Sequence, residues 1–287
     1  MRIFTTIDEL QRWLHEQRQE NRTIGFVPTM GALHEGHLSL VRRAEVAGDV
    51  SLVSIFVNPT QFNDIEDLLR YPRTPEEDRT LLQKAGCKGL FMPEVSEIYP
   101  PGQDLRVPVQ LGHLAKVMEG KFRPGHFEGV MMVVKRLLDI VQPDRLYMGQ
   151  KDFQQLAVVR EMLRQLGLPV ELIACPTVRE ADGLALSSRN RRLSPEKRAA
   201  APVIFQALLS ARQAFQDGER LEVIRKRALH CLQQAGLRPE YFEVVDGHTL
   251  LPLSESERSG YVVACAAAWA GEVRLIDNLV LQEKHPR

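Results

Sequence analysis

The chain has 287 residues, enough for one large or two modest domains with a sizeable core. Its 37 Lys and Arg balance 37 Asp and Glu, and that zero net charge argues against nucleic acid held on a broadly basic surface, while leaving room for a local basic pocket. Cys87, Cys175, Cys231 and Cys265 are scattered without a Cys-x-x-Cys pair, Asp8 and Glu9 interrupt any signal-peptide core, and the most apolar run, Tyr261 to Ala270, is about half the ~20 residues of a membrane helix; the expectation is a cytoplasmic protein with reduced thiols and no membrane partner.

Thr6 and Glu9 have capping-box spacing ahead of a short helix whose Ile7, Leu10, Trp13 and Leu14 share one face. Ile24 to Val27 reads as a buried strand ended by Pro28, with Thr29 and Gly31 in a turn. His34, Gly36 and His37 then open a helix that has Leu38, Val41 and Ala44 on one side. Residues three apart on a helix lie on the same face, so the two imidazoles can address one point. That point is a helix N-terminus, where free N–H groups and the dipole favour phosphate, and Gly36 lets a ligand approach the backbone.

Val50 to Val57 is a second buried strand, running into Asn58-Pro59-Thr60-Gln61-Phe62. Open α/β sheets place ligands beyond the C-terminal ends of their strands, so Asn58 and Gln61 are candidates to touch a small polar substrate; turn chemistry is a strong alternative for Asn58 before proline and a weaker one for Gln61. Thr74 and Glu77 repeat the capping-box pattern with Pro75 at the first helical position, and Gly86 follows the helix end. Leu90 to Met92 reads as a third strand, and residues 93–106 as a flap or a plain connection. Lys121 to Gly129 sets Arg123 and His126 beside glycines before a helix from Val130 to Val141; an anion site and an exposed basic turn fit this segment equally. Strand Arg145 to Met148 leads to Gly149-Gln150-Lys151-Asp152, and a helix from Asp152 ends at Gly167. A lysine there opposes the helix dipole, which favours a functional reason for it.

With a strand from Pro169 to Ala174, the order alternates strand and helix to about Cys175, the pattern of a Rossmann-like, doubly wound parallel sheet over residues 1–176. Asp182-Gly183 is then a turn, Ser187-Ser188-Arg189 a small cationic loop able to wrap phosphate, and Ser194 a helix cap. Helices over 195–216 and 221–234, followed by short antiparallel strands at 241–245, 261–267 and 273–276, make a smaller α+β unit of residues 177–287.

The His-x-Gly-His string resembles the signature of the nucleotidylyltransferase superfamily, and PTMGALHEGH resembles the pantoate–β-alanine ligase (pantothenate synthetase) family in particular. SIFVNPTQF, RYPRT, RPGHFEGV, PDRLYMGQKDFQQL, VREADGLALSSRN and VRLIDN are similar to that family's blocks, in its order. The resemblance implies a C-terminal lid, a homodimer, and the AMP-forming condensation of (R)-pantoate with β-alanine at the expense of ATP. Mg²⁺ would be carried mainly on the ATP phosphates, and no organic cofactor is implied. It further implies that Met30, Gly31, Ala32, Leu33, His34, Glu35, Gly36 and His37 line the ATP site, with His37 and His34 catalytic. Gly149, Gln150, Lys151 and Asp152 would hold the nucleotide, with Lys151 on the phosphates and catalytic. Val178, Leu186, Ser187, Ser188 and Arg189 would complete that pocket, with Arg189 a catalytic cation. Gln61 and Gln155 would bind pantoate, and Gln61 would border β-alanine. Leu186, Met132 and Gln150 depart from residues common in the family, without removing a charged group.

Three other readings stay open on the residues alone: a nucleotidylyltransferase that keeps AMP on its product, a nucleotide-binding protein without catalysis, and a metal hydrolase built on His34, His37, His113 and His126. The glutamines favour a hydroxy-acid pocket over the first, the retained histidines, Lys151 and Arg189 oppose the second, and the lack of a carboxylate at ligand spacing opposes the third.

Overall fold

A computed structural model describes residues 1–255, 258 and 260–283. Six strands pair in one parallel sheet: β1 (Arg2–Phe4), β2 (Ile24–Thr29), β3 (Val50–Ile55), β4 (Gly89–Phe91), β5 (Arg145–Gly149) and β6 (Glu171–Cys175), in the spatial order β1-β4-β3-β2-β5-β6. Helix α1 (Ile7–Gln19) follows β1, α2 (Glu35–Val46) follows β2, and α3 (Ile65–Leu69) and α4 (Pro75–Lys84) link β3 to β4. Between β4 and β5 lie α5 (Val95–Ile98), α6 (Met118–Phe122) and α7 (His126–Val141), and α8 (Phe153–Leu166) joins β5 to β6.

The central strands β2 and β3 are buried along nearly their whole length because both sheet faces are covered. Alternate side chains point to opposite faces. Phe26, Leu52 and Leu146 therefore meet α1, α7 and α8 through Leu14, Val134 and Val159, while Val27, Val53 and Tyr147 meet α2 and α4 through Val41 and Leu82. From β2 the chain steps one way to β3 and β4, then returns to lay β5 on the other side. The reversal between β2 and β5 is where a doubly wound sheet opens a ligand crevice.

Pro28 does not end β2, which pairs with β3 as far as Thr29 opposite Ile55. The Thr29 carbonyl faces β3, so the N–H that Pro28 lacks would face β5, and β5 pairs with β2 only at Gly25 and Phe26. Helix α7 begins at His126, earlier than Val130. Gly129 sits inside it because a Cβ there would stand 2.2 Å from the Thr60 carbonyl oxygen; the glycine lets the Pro59–Gln61 turn lie directly on the helix. Thr74 caps no helix with its side chain and donates instead to Asp78. The Thr6 cap forms, but Glu9 returns to the N–H of Thr5 and not to that of Thr6.

The expected helix over 195–216 is divided into α9 (Pro195–Ala200) and α10 (Val203–Gln216) at Pro202, which lacks an N–H for the ladder. After α11 (Leu221–Gln234), strands β7 (Arg238–Asp246), β8 (Val262–Ala270) and β9 (Val273–Gln282) form an antiparallel sheet that contains most of each expected short strand. One face packs Phe242, Ala264, Ala266 and Ala268 on Leu208, Phe215 and Ile224 of α10 and α11. The other packs Tyr241, Val263 and Cys265 on Met118 and Phe153, which places this sheet against the crevice side of the first one.

The turn leaving β2 has an unusual backbone. Gly31 and Ala32 both have positive φ, 79° and 48°, and Ala32 carries the steric cost of a Cβ in that region. Asp78 of α4, 1% exposed, accepts from Ala32 N–H at 3.0 Å, Leu33 N–H at 2.7 Å and the Thr74 hydroxyl at 3.1 Å. The Ala32 carbonyl in turn accepts from Ser188 Oγ at 3.0 Å. Replacing Asp78 by Asn sets an amide NH₂ against one of two buried N–H donors and should cost about 2–3 kcal/mol. Urea unfolding of D78N measures this, and a loss below about 0.5 kcal/mol would mean that the carboxylate does not hold the turn.

Candidate active site

The turn held by Asp78 delivers the chain to the start of α2. His34 is the N-cap, in extended conformation, and His37 is three residues into the helix. Their rings lie 4.0 Å apart between centroids. His34 N–H donates to His37 Nδ1 at 3.3 Å, so Nδ1 is the acceptor and the neutral ring of His37 carries its proton on Nε2. Burial, and next the charge of Lys151, hold the His37 pKa down at about 4. His34 is lowered to about 3 by burial, with further repulsion from His37, Lys151 and Arg191. Both rings are neutral near pH 7. A Cβ on Gly36 would stand 3.0 Å from the His34 ring, so this glycine makes room for an imidazole as well as baring backbone.

Beyond β3, Asn58 is buried and accepts from the Tyr99 hydroxyl at 2.7 Å and the Thr60 hydroxyl at 3.0 Å. Its amide donates to the Gly129 carbonyl at 3.2 Å and to Gln61 Oε1 at 3.1 Å. Gln61 Nε2 reaches the Met30 sulfur at 2.9 Å, and the Gln61 carbonyl accepts from His126 Nδ1 at 2.8 Å. Asn58 therefore serves the turn, as its place before proline suggests, and it also orients Gln61 and lines the cavity described below. His126 is kept neutral, at about 4, by burial and then by Arg123.

Beyond β5, the Lys151 loop is tied down from the C-terminal sheet. Asn278 Nδ2 donates to the carbonyls of Gln150 at 2.9 Å and Lys151 at 2.8 Å. Arg179 grips Asp277 through two bonds of 2.6 and 3.0 Å, fixing the middle of β9 from the segment that leads to the serine loop. Gly183, at φ 93°, turns that segment back, and Leu186 N–H bonds to the Val178 carbonyl at 3.0 Å. Arg189 then pairs with Asp67 at 2.9 Å, beside Arg192 at 2.7 Å.

These parts surround a cavity of about 230 Å³. Met30, His34, Gly36, His37, Gln61, Gly149, Lys151, Asp152, Gln155, Val178, Leu186, Ser187, Ser188 and Arg189 all line it. Gly31, Ala32 and Leu33 do not; they are buried behind it in the turn. Glu35 points outward and pairs with Arg42, and Gln150 contributes only backbone bonds, to Cys175 and Asn278. A second cavity of about 630 Å³ adjoins, sharing Arg123, Lys151, Asp152, Ser187 and Arg189. His113 bonds to the Leu250 carbonyl and stays out of the first cavity, and no group of three or more potential metal ligands gathers among the described residues. The reading by residue type missed Asp78, Asp277 and Asn278. No local pattern marks Asp78 as facing residues 46 positions away, and Asp277 and Asn278 sit on a strand where only the resemblance drew notice.

Chemically, the arrangement offers an anion two neutral imidazoles, a lysine and a helix N-terminus at one end, and neutral amides at the other. This suits a phosphate-bearing ligand beside a small polar acid.

The pantoate-beta-alanine ligase family model matches residues 2–280. The pantothenate synthetase of Porphyromonas gingivalis is 49% identical over 284 residues, 99% of this chain and 100% of that protein. The crystal structure of pantothenate synthetase from Thermus thermophilus superposes with a TM-score of 0.92 at 48% identity, covering 98% of this chain and 99% of that one. That of the pantoate-beta-alanine ligase from Francisella tularensis, complexed with beta-gamma ATP and beta-alanine, gives 0.80 at 36% identity, covering 98% of each chain. A family match and close relatives that extend along nearly the whole length, over the fold just described, establish that this chain belongs to the pantoate-beta-alanine ligase family.

Proposed function

We propose that the chain condenses (R)-pantoate with β-alanine, converting ATP to AMP and pyrophosphate through a pantoyl-adenylate. The observation that carries this is one cavity with His34, His37 and Lys151 at a helix start and Gln61 and Gln155 facing the same space. ATP would lie along residues 30–37, 149–152 and the Val178 and Leu186–Arg189 segment, with pantoate on the two glutamines. A pantoate carboxylate oxygen attacks the α-phosphorus, the bond to the bridging oxygen breaks, and pyrophosphate leaves with the electron pair. His37 meets the growing charge as a neutral Nε2–H donor. Such a donor needs no proton from solvent and does not reorganise as charge builds. Lys151, held through its own carbonyl by Asn278, supplies the fixed positive charge.

Mg²⁺ would arrive on the triphosphate and neutralise phosphate charge there. Asp152, half-exposed and lining both cavities, is the carboxylate best disposed to face it. The amine of β-alanine then sheds a proton and attacks the acyl carbon, and the acyl–oxygen bond to AMP breaks. Because the anhydride is water-labile, we assign residues 177–287 as a lid over the catalytic unit of residues 1–176; of the lid, 256, 257, 259 and 284–287 lie outside the described residues. Arg189 would leave Asp67 for the polyphosphate as the lid settles. A homodimer in the cytoplasm completes the reading, with the unpaired edge of β6 left as a surface for a second copy. No helix among the described residues is long and apolar enough to cross a membrane.

With ATP, Mg²⁺ and pantoate but no β-alanine, labelled pyrophosphate should exchange into ATP. His37→Ala should slow this exchange by roughly 10²–10³-fold, the scale of losing one transition-state donor. A folded H37A variant that exchanges at the normal rate would remove His37 from the chemistry, and ADP as product would remove the adenylate.

The neutral histidines also predict an acid dependence of stability. Their folded pKa values, about 3 for His34 and about 4 for His37 and His126, lie below the 6.5 of an unfolded histidine. Between these limits the unfolded chain binds protons that the folded chain refuses. Stability from this source is therefore complete above pH 6.5 and is lost as the pH falls toward 4. Urea midpoints measured across that window should decline, and the decline should be shallower in H37A. A flat wild-type profile would mean that the histidines are not buried in neutral form.

A further inference from the structure

A ligase that joins two acids must hold two carboxylates. One of them attacks phosphorus, and the other, on the incoming amino acid, must stay intact and be recognised. Three cations line the smaller cavity: Lys151, Arg189 and Arg123. Lys151 stands beside the histidine pair, and Arg189 is engaged with Asp67 at 2.9 Å. Arg123, between α6 and α7, lines the larger cavity as well, so a molecule entering from that side meets it.

The guanidinium of Arg123 is held but not saturated. Nη1 donates to His126 Nε2 at 3.0 Å and Nη2 to the Gln61 carbonyl at 3.4 Å. Only these two contacts engage its five N–H donors in hydrogen bonds among the described residues. The nearest carboxylate, Glu119, stays 3.7 Å away because its oxygens are taken by two bonds of 2.7 Å from Arg274 and one of 2.8 Å from the Tyr241 hydroxyl. His126 is fixed by its own bond to Gln61, so Arg123 is tethered to the residue proposed to border both acids. A tethered arginine with spare donors in a fork geometry is suited to a carboxylate.

Resting on the functional reading above, we propose that Arg123 receives the carboxylate of the incoming ω-amino acid, directing its amine to the acyl group beside Gln61 and setting the preference for amines that carry an acid. Lys151 and the histidines are then left to the nucleotide. Adenylation, which needs no amino acid, should proceed without this cation.

The test uses the full-length enzyme with Arg123→Met and Arg123→Lys, and β-alanine and its uncharged amide as amine substrates. R123M should keep pyrophosphate exchange with ATP and pantoate within about 3-fold, while the KM for β-alanine rises on the order of 10–100-fold, as for losing charge-assisted hydrogen bonds. R123K should fall between. Wild type should favour β-alanine over the amide, and R123M should lose that preference by the same factor. An unchanged β-alanine KM with exchange intact would overturn the assignment, as would exchange falling in parallel in both variants, which would place Arg123 in adenylation or in the framework. If wild type itself shows no pantoate-dependent exchange, the functional reading fails and this proposal with it.

Discussion

The bonds from Asp78 to the N–H groups of Ala32 and Leu33 decide where α2 begins, and with it the placement of His34 and His37. A turn with two successive positive φ values is unfavourable for an alanine, and a buried carboxylate with three donors outweighs that cost. Downstream, His34 takes the N-cap, its N–H engages His37 Nδ1, and the proton of the neutral ring is committed to Nε2. Ser188 grips the carbonyl of the same Ala32, so the serine loop is registered on this turn from the opposite side.

The C-terminal sheet acts on the site mostly through backbone. Asn278 reaches the carbonyls of Gln150 and Lys151, while Arg179 on Asp277 steadies the strand that carries it. A second link runs from Arg274 to Glu119 on α6. Both ion pairs are largely buried, and such pairs contribute little net stability once desolvation is counted. Their directional bonds instead specify how the sheet is seated, and the serine loop is carried on the segment that this seating holds.

Electrostatically the cavity separates fixed cations from neutral donors. Burial keeps His34, His37 and His126 uncharged, so Lys151, Arg189 and Arg123 carry the positive charge. Charging the imidazoles as well would stack like charges in a poorly solvated space. Neutral Nε2–H groups bind a developing oxyanion without that repulsion.

Much of this was legible in the residues. Apolar-rich runs at Ile24–Val27 and Val50–Val57 mark strands covered on both faces, alternation with helices implies a parallel sheet, and His-x-Gly-His before Leu38, Val41 and Ala44 marks a helix start, because each rests on local periodicity or spacing. Reading by pattern went astray where a neighbour decides. Pro28 stays in β2 because the side it would starve is already unpaired, Gly129 sits in mid-helix because the Thr60 carbonyl lies against it, and Thr74 turns from capping to Asp78. The chain by itself determined the elements, their order and the chemical kinds of group at the site. Tertiary structure alone decided that Asp78 clamps a turn 46 residues away, that Asn278 steadies the loop of Lys151 from another sheet, and which ring nitrogen of His37 carries the proton. Hydrogen bonds across such separations depend on packing geometry, and packing geometry leaves no period in a sequence.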